Sequence, residues 1–156
     1  MPPASELAAG VIVVLCSAVL MLAAASDICD RKIPNRLVLA VLLLFVLWRM
    51  TGPATPLPDS LLAGGIVLAV GFPLFVLRII GAGDTKLAAA TALFAGLARL
   101  SHFVLAMSLV GGALAILALG ARYLRKLRGG GETATDDVPY GVAIAIAGIV
   151  AAVTPG

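Results

Sequence analysis

The sequence predicts an all-α, polytopic membrane protein built as a bundle of six transmembrane helices. Hydrophobic residues make up 62% of the 156 residues and charged residues only 12%, whereas soluble domains carry about 25% charged residues. The mean hydropathy is +1.13, and apolar runs recur along the whole chain. The length suits one unit, so we expect residues 1–156 to form a single integral membrane domain.

Six apolar runs account for the predicted helices. They cover about Leu7–Ala25, Leu37–Trp48, Leu61–Ile80, Leu87–Leu97, Phe103–Tyr123 and Gly141–Val153. The first, third and fifth are close to the roughly 20 residues needed to cross a bilayer core about 30 Å thick, and the other three are shorter. Asn35 and Asp84 stand just before the second and fourth runs, where they are expected to cap helices, so we interpret the short runs as short spans.

The basic residues between the runs predict the orientation. If the first, third and fifth loops lie on one side of the membrane, that side holds nine Lys and Arg residues: Arg31, Lys32, Arg36, Arg78, Lys86, Arg122, Arg125, Lys126 and Arg128. The other side holds Arg49 and Arg99. Because basic loops stay in the cytoplasm, we expect these three loops to be cytoplasmic and both termini to be outside. The start of the chain lacks a basic segment, so we expect the first run to remain as a helix and not to be removed as a signal peptide.

Several functional classes are disfavoured. The net charge of +3 comes from loop residues that orient helices, so we expect no nucleic-acid partner. Cys16 and Cys29 form no CxxC pair, and no spacing of His, Cys or acidic residues fits zinc. The single histidine, His102, is expected on the outer side, away from the acidic residues, which leaves a Ser-His-Asp triad without its base. No phosphate-binding loop or dinucleotide motif is present. We therefore expect no metal and no cofactor.

Three acidic residues stand at the predicted cytoplasmic ends of helices: Asp27, Asp30 and Asp84. Charged side chains at membrane depth are costly and are functional candidates by default. The other five lie in tails or loops, where solvated charge is the simpler interpretation: Glu6, Asp59, Glu132, Asp136 and Asp137.

Asp84 follows two glycines in the segment Gly81-Ala82-Gly83-Asp84, and Asp27 ends the first apolar run. Glycine lacks a Cβ and lets another backbone approach closely. Taken alone, the segment could be a glycine hinge with an aspartate cap. Two carboxylates on the same face of the membrane, however, can share one proton, activate water and polarise a peptide carbonyl. Such a pair hydrolyses peptides without a metal or a covalent intermediate.

Three motifs resemble those of the type IV prepilin peptidases, which are GxGD aspartic membrane proteases. The motifs, in order, are Asp27-Ile28 followed by Ile33-Pro34-Asn35, then Gly81-x-Gly83-Asp84 with Lys86-Leu87, and then Pro139-Tyr140-Gly141 before the last helix. Each is weak alone, but their order and spacing on six spans are specific, and the resemblance covers nearly the whole chain.

The resemblance implies that Asp27 and Asp84 are catalytic and that Asp30 is a solvated loop charge. Substrate-binding or structural support is implied for Gly81, Gly83, Lys86, Pro34, Asn35, Pro139, Tyr140 and Gly141. The family cuts the short basic leader from pilin precursors at the cytoplasmic face of the inner membrane, after a glycine. Prepilins, pilin-like precursors and the bilayer are thus the implied partners. Long members carry a further methyltransferase region with two CxxC pairs, and this chain resembles the short form of tight-adherence (Flp) pilus systems.

Two other functions remain open from the residues. One is a small transporter or channel in which the aspartate pair relays protons. The sequence shows no inverted repeat of the kind found in many transporters, and both aspartates are predicted near the same face of the membrane. The other is a non-catalytic assembly factor in a secretion complex. The sequence gives no oligomeric state.

Overall fold

The computed structural model describes residues 3–52, 54–127 and 140–153. Arg128, Pro139 and the segment 129–137 lie outside the described residues, as do the side chains of Arg122, Arg125 and Lys126. Within the described part every regular element is a helix. The helices are α1 (Ala4–Asp30), α2 (Asn35–Met50), α3 (Leu57–Val76), α4 (Ala82–Leu127) and α5 (Tyr140–Val153).

The described residues form five helical segments and not six separate ones, because the longest segment consists of two helical arms joined at Gly96. The fourth and fifth apolar runs belong to α4, which has 46 residues. A straight helix of that length would be about 69 Å long at 1.5 Å per residue, more than twice the thickness of a bilayer core. The chain leaves helical geometry at Gly96, which has φ 63° and ψ 178°, a conformation that glycine adopts without a Cβ clash.

The chain folds back at Gly96. Phe103 lies in the same buried cluster as Ala92 and Ala95, and one cavity is lined by both Asp84 and Ala115. In a straight helix Asp84 and Ala115 would be about 46 Å apart. Each arm of α4 can therefore lie along the bundle, with Gly96 at the end opposite Asp84.

Helix boundaries differ from the predicted ones where proline or a cap decides them. The third helix begins before the third apolar run, because α3 starts at Leu57, directly after Pro56. Pro34 is the N-cap of α2 and no side chain caps that helix, so Asn35 is the first helical residue and not the expected cap. Asp84 is likewise the third residue of α4, since the helix already begins at Ala82. Asp27 lies inside α1, which continues to Asp30.

Small residues fill the interior and large apolar residues cover the outside. Ten alanines are among the buried core residues with Leu20, Leu87 and Phe103, whereas Val14 and Ile116 are exposed by 68% and 72%. Small residues at helix contacts and large apolar residues outside are typical of helices packed in lipid. Among the described residues, three helices are long and apolar enough to cross a membrane, at Ala4–Asp30, Leu57–Val76 and Ala82–Gly120, and Tyr140–Val150 is a shorter apolar helix. The protein is thus a polytopic helical membrane protein.

Five helix ends gather at one end of the bundle. The last turn of α1, the start of α2, the segment after α3 and the start of α4 line one groove, and the start of α5 binds the last turn of α1. At the opposite end, Arg49 Nη1 donates a hydrogen bond of 2.6 Å to the Thr55 carbonyl, and the Thr55 side chain lies against Gly96.

Candidate active site

Asp27 lies in the last turn of α1 and is held by the first turn of α5. Its side chain is only 7% exposed. The backbone N–H of Gly141 donates a hydrogen bond of 2.8 Å to Asp27 Oδ2. That N–H is one of the free donors at a helix N-terminus, so the carboxylate satisfies it while α5 fixes the carboxylate.

Gly141 leaves no room for a side chain at this contact. A Cβ on Gly141 would lie 2.9 Å from both Cβ and Oδ2 of Asp27. The expectation that Gly141 supports the site thus gains a geometric reason. Tyr140, the residue before it, is half-buried and lines a cavity with Asp27 and Asp84.

Asp84 lies in the first turn of α4 and has a different environment. Its side chain is 9% exposed, and no described protein group donates a hydrogen bond to its buried Oδ1. The backbone of Gly81 faces the other oxygen, because a Cβ there would be 2.8 Å from Asp84 Oδ2. One carboxylate oxygen is thus left for water or a ligand to satisfy.

The segment before α2 packs against the glycine motif. A Cβ on Gly83 would lie 2.9 Å from Ile33 Cβ and 3.2 Å from the Ile33 carbonyl. Lys86 Nζ donates a hydrogen bond of 3.3 Å to Asn35 Oδ1. Ile33 and Asn35 therefore join the start of α2 to Gly83 and Lys86 of α4, and Pro34 between them is the N-cap of α2.

Both aspartates line the same two cavities. One is a polar groove of about 810 Å³ formed by the α1–α2 connection and the Gly81–Asp84 segment. The other, of about 360 Å³, is lined by the two aspartates with Arg31, Arg78 and Tyr140. Asp30 is exposed and lines only the polar groove, which is consistent with a solvated loop charge.

Two arginines adopt left-handed backbone conformations beside the pair. Arg31 ends α1 with φ 53°, and Arg78 lies in the turn after α3 with φ 58°. Non-glycine residues in this region are strained, and such strain clusters at functional sites. In the sequence, both arginines served only to predict how the protein is oriented in the membrane. A count of charges does not show which basic residues line a cavity.

The sequence also did not identify Thr85 and Gly71 as residues of the site. The Thr85 hydroxyl donates a hydrogen bond of 3.1 Å to the Gly81 carbonyl, which closes the turn that carries Asp84. A Cβ on Gly71 would lie 2.7 Å from Thr85 Cγ2, so α3 approaches the start of α4 closely there. The only signal in the sequence was a glycine within the third apolar run.

The two aspartates line the same two cavities, so the charge of one disfavours ionisation of the other. Two carboxylates that line one cavity can share a proton and act on water as a general acid–base pair. No group of three or more His, Cys, Asp or Glu residues that could hold a metal comes together in the described part of the chain.

Comparison with protein-family models matches residues 14–116, more than half of the chain, to the type IV leader peptidase family. The matched range includes Asp27 and Asp84 and ends before Tyr140 and Gly141. No curated protein and no solved structure matches the chain.

Proposed function

This chain belongs to the type IV leader peptidase family, and from that premise we propose that it is a membrane-embedded aspartic endopeptidase with Asp27 and Asp84 as its catalytic pair. The observation that carries the proposal is that α1 and α4 bring these two buried carboxylates to the same two cavities. No other pair of buried acidic side chains occurs among the described residues.

The proposed reaction is hydrolysis of one peptide bond by water. The ionised carboxylate takes a proton from water as the oxygen attacks the scissile carbonyl, and the protonated carboxyl donates a hydrogen bond to that carbonyl oxygen. The C–N bond then breaks, and the leaving amine receives a proton from the pair. The Gly141 N–H orients Asp27 throughout, and Asp84 Oδ1 is the oxygen that has no donor in the described part of the chain.

The proposed substrates are type IV (Flp-like) prepilins, cut at the end of their leader on the cytoplasmic face of the inner membrane. Basic residues of the predicted cytoplasmic loops support this orientation, because Arg31, Lys32 and Arg36 line the polar groove beside the aspartates. Arg49, assigned to the outer side, lies at the opposite end of the bundle.

The catalytic pair is tested by Asp27→Asn and Asp84→Asn in proteoliposomes with a prepilin precursor. Each substitution removes a group needed for proton transfer, so cleavage should fall by about 10²–10⁴-fold or more. Asp30→Asn is the matched control and should retain most activity, because Asp30 is exposed. Robust cleavage by a correctly inserted Asp84→Asn protein would refute the assignment, as would loss of cleavage on metal chelation with recovery on adding one metal.

The orientation is tested by labelling single cysteines in a background with Cys16 and Cys29 replaced by serine. A cysteine at Gly130 should react with a membrane-impermeant reagent only from the cytoplasmic side, and one at Thr154 only from outside, because nine of the eleven basic residues fall on the predicted cytoplasmic side. The reverse labelling would place the aspartates on the wrong face for prepilin leaders.

A further inference from the structure

Two basic side chains share a small cavity with the two aspartates. The cavity, of about 360 Å³, is lined by Asp27 and Asp84 together with Arg31, Arg78 and Tyr140. Arg31 is the C-cap of α1, whereas Arg78 lies two residues beyond the end of α3. Neither arginine takes part in the proton transfers proposed above.

The fold places Arg78 at a backbone position that favours glycine. Its φ is 58°, and a residue that adopts this left-handed conformation after a helix is usually glycine or asparagine. The N–H of Arg78 donates a hydrogen bond of 2.9 Å to the Phe75 carbonyl. The N–H groups of Ile79 and Ile80 both donate to the Leu74 carbonyl, at 2.9 and 3.4 Å. These bonds hold the turn against the end of α3 and so maintain a strained arginine beside the site.

The Arg78 guanidinium is available to a ligand. Its side chain is exposed, and it makes no hydrogen bond or ion pair with any of the described residues. Arg31 differs, because it already interacts with another group. A guanidinium is always charged, and its N–H donors form a planar fork that matches the two oxygens of a carboxylate. Arg78 can therefore bind an anion that enters the cavity.

Hydrolysis of a peptide bond between the aspartates would create such an anion. The water oxygen and the former carbonyl oxygen end on the same carbon, the C–N bond breaks, and the amine leaves with a proton. The new C-terminal carboxyl then loses its proton to water and becomes negative. This charge forms beside an aspartate pair that is itself negative, and like charges repel at short distance. A cation in the same cavity offsets the repulsion.

We propose that Arg78 binds the carboxylate that cleavage creates at the C-terminus of the leader. This inference rests on the proposed peptidase function. The two oxygens of that carboxylate are the oxygens of the tetrahedral intermediate, so the guanidinium stabilises negative charge on the same atoms before and after the C–N bond breaks. Two parallel hydrogen bonds from one guanidinium to one carboxylate are the strong form of this contact.

Three substitutions at Arg78 separate its charge, its shape and its backbone strain. Arg78→Gln removes the charge, and Arg78→Lys keeps the charge without the planar fork. Arg78→Asn also removes the charge but suits the backbone, because asparagine adopts positive φ more readily than most residues. Arg36→Gln is the matched control. Arg36 is exposed and lines the polar groove with both aspartates, but it does not line the smaller cavity.

The experiment measures how synthetic leader peptides inhibit cleavage of a prepilin precursor in proteoliposomes. One peptide ends in the scissile glycine with a free carboxylate, and the other has the same sequence with a C-terminal amide. Arg78→Gln and Arg78→Asn should weaken inhibition by the carboxylate peptide about tenfold or more, as expected for the loss of a charge-assisted hydrogen bond. Inhibition by the amide peptide should stay nearly unchanged. Arg78→Lys should give an intermediate ratio of the two inhibition constants, and Arg36→Gln should keep the wild-type ratio.

The outcomes separate this contact from the peptidase. If wild type does not cleave the precursor, the proposed function fails and the contact with it. If wild type cleaves but the carboxylate peptide does not inhibit it, or if Arg78→Gln and Arg78→Asn keep the wild-type ratio, the contact alone is wrong. Equal weakening of both peptides would indicate a structural role for Arg78, and the same change of ratio in Arg36→Gln would indicate a general effect of charge. Either result would overturn the proposal. If Arg78→Gln does not insert, the Arg78→Asn ratio decides the question.

Discussion

The two aspartates share a site but are held in different ways. Asp27 accepts a hydrogen bond from a backbone N–H that is 114 residues away in the chain, and α1 continues for three residues beyond it. Asp84 lies in the first turn of α4 and keeps a buried oxygen with no donor among the described residues. It also stands at the entrance to both a polar and an apolar space.

This difference indicates which of the two aspartates is already oriented by the protein itself. Asp27 has its orientation fixed by the fold, as is expected of groups preorganised for catalysis. Asp84 has one oxygen with no donor among the described residues, and an oxygen left without any donor would destabilise a fold by about 1–3 kcal/mol. A buried polar atom without a protein donor is typical of functional groups that form hydrogen bonds with water or substrate.

The largest expected effect is on kcat, and it follows from adding a methyl group beside each of the two aspartates. Gly141→Ala places a Cβ 2.9 Å from both Cβ and Oδ2 of Asp27, whereas Gly81→Ala places one 2.8 Å from Oδ2 at the far end of the Asp84 side chain. Because Asp27 cannot move away by rotating its carboxylate alone, Gly141→Ala should reduce kcat by about 10²-fold, as misplacements of about 1 Å do. Gly81→Ala should reduce it less.

Gly10→Ala provides the control for both, since a Cβ there meets no atom within 4 Å. All three variants are compared by single-turnover cleavage of a prepilin precursor. Equal losses in Gly141→Ala and Gly81→Ala, or no loss in Gly141→Ala, would show that Asp27 is not the rigidly held member of the pair.

A smaller effect should appear in stability, with opposite signs for the two aspartates. Asp27→Ala leaves the Gly141 N–H without its acceptor and should lower the free energy of unfolding by about 1–3 kcal/mol. Asp84→Ala removes a buried oxygen that has no donor within residues 3–52, 54–127 and 140–153, and it should raise the free energy of unfolding by a similar amount. Thermal unfolding in one detergent measures both, and destabilisation by Asp84→Ala would contradict the comparison.

The smallest effect is expected at the contact that joins α2 to α4. Lys86→Met removes the hydrogen bond of 3.3 Å from Lys86 Nζ to Asn35 Oδ1, and both residues are exposed. Hydrogen bonds contribute about 0.5–1.5 kcal/mol on balance, so cleavage should fall by less than about tenfold. Asn35→Ala should have the same effect, and the double variant should add little. Additive losses in the double variant would mean that the two side chains act separately.

Charge and motif order predicted the pairing of Asp27 with Asp84, because each aspartate stands beside a basic loop on the same predicted side. The reason that Gly141 must be glycine could not be predicted. Its contact with Asp27 joins the first and last described helices, and no local pattern near either residue specifies that distance.

The joining of the fourth and fifth runs into one helical segment could not be predicted for a different physical reason. A single glycine, Gly96, turns the chain, and Leu97, Ala98 and Arg99 resume a helix at once. Good helix formers on both sides leave no polar turn of the kind that usually marks a loop. The chain therefore reverses at Gly96, inside the fourth run, and not in a polar loop after it.

The contact between Gly141 and Asp27 also sets an order of events during biosynthesis. The ribosome makes both aspartates before it makes α5, and α5 supplies the backbone N–H that is bound to Asp27 Oδ2. A nascent chain that has inserted α1 to α4 thus carries the two proposed catalytic carboxylates without the contact that orients Asp27. We expect the proposed protease to become competent only when its last described helix enters the membrane, which would protect unfinished chains and their neighbours from premature cleavage.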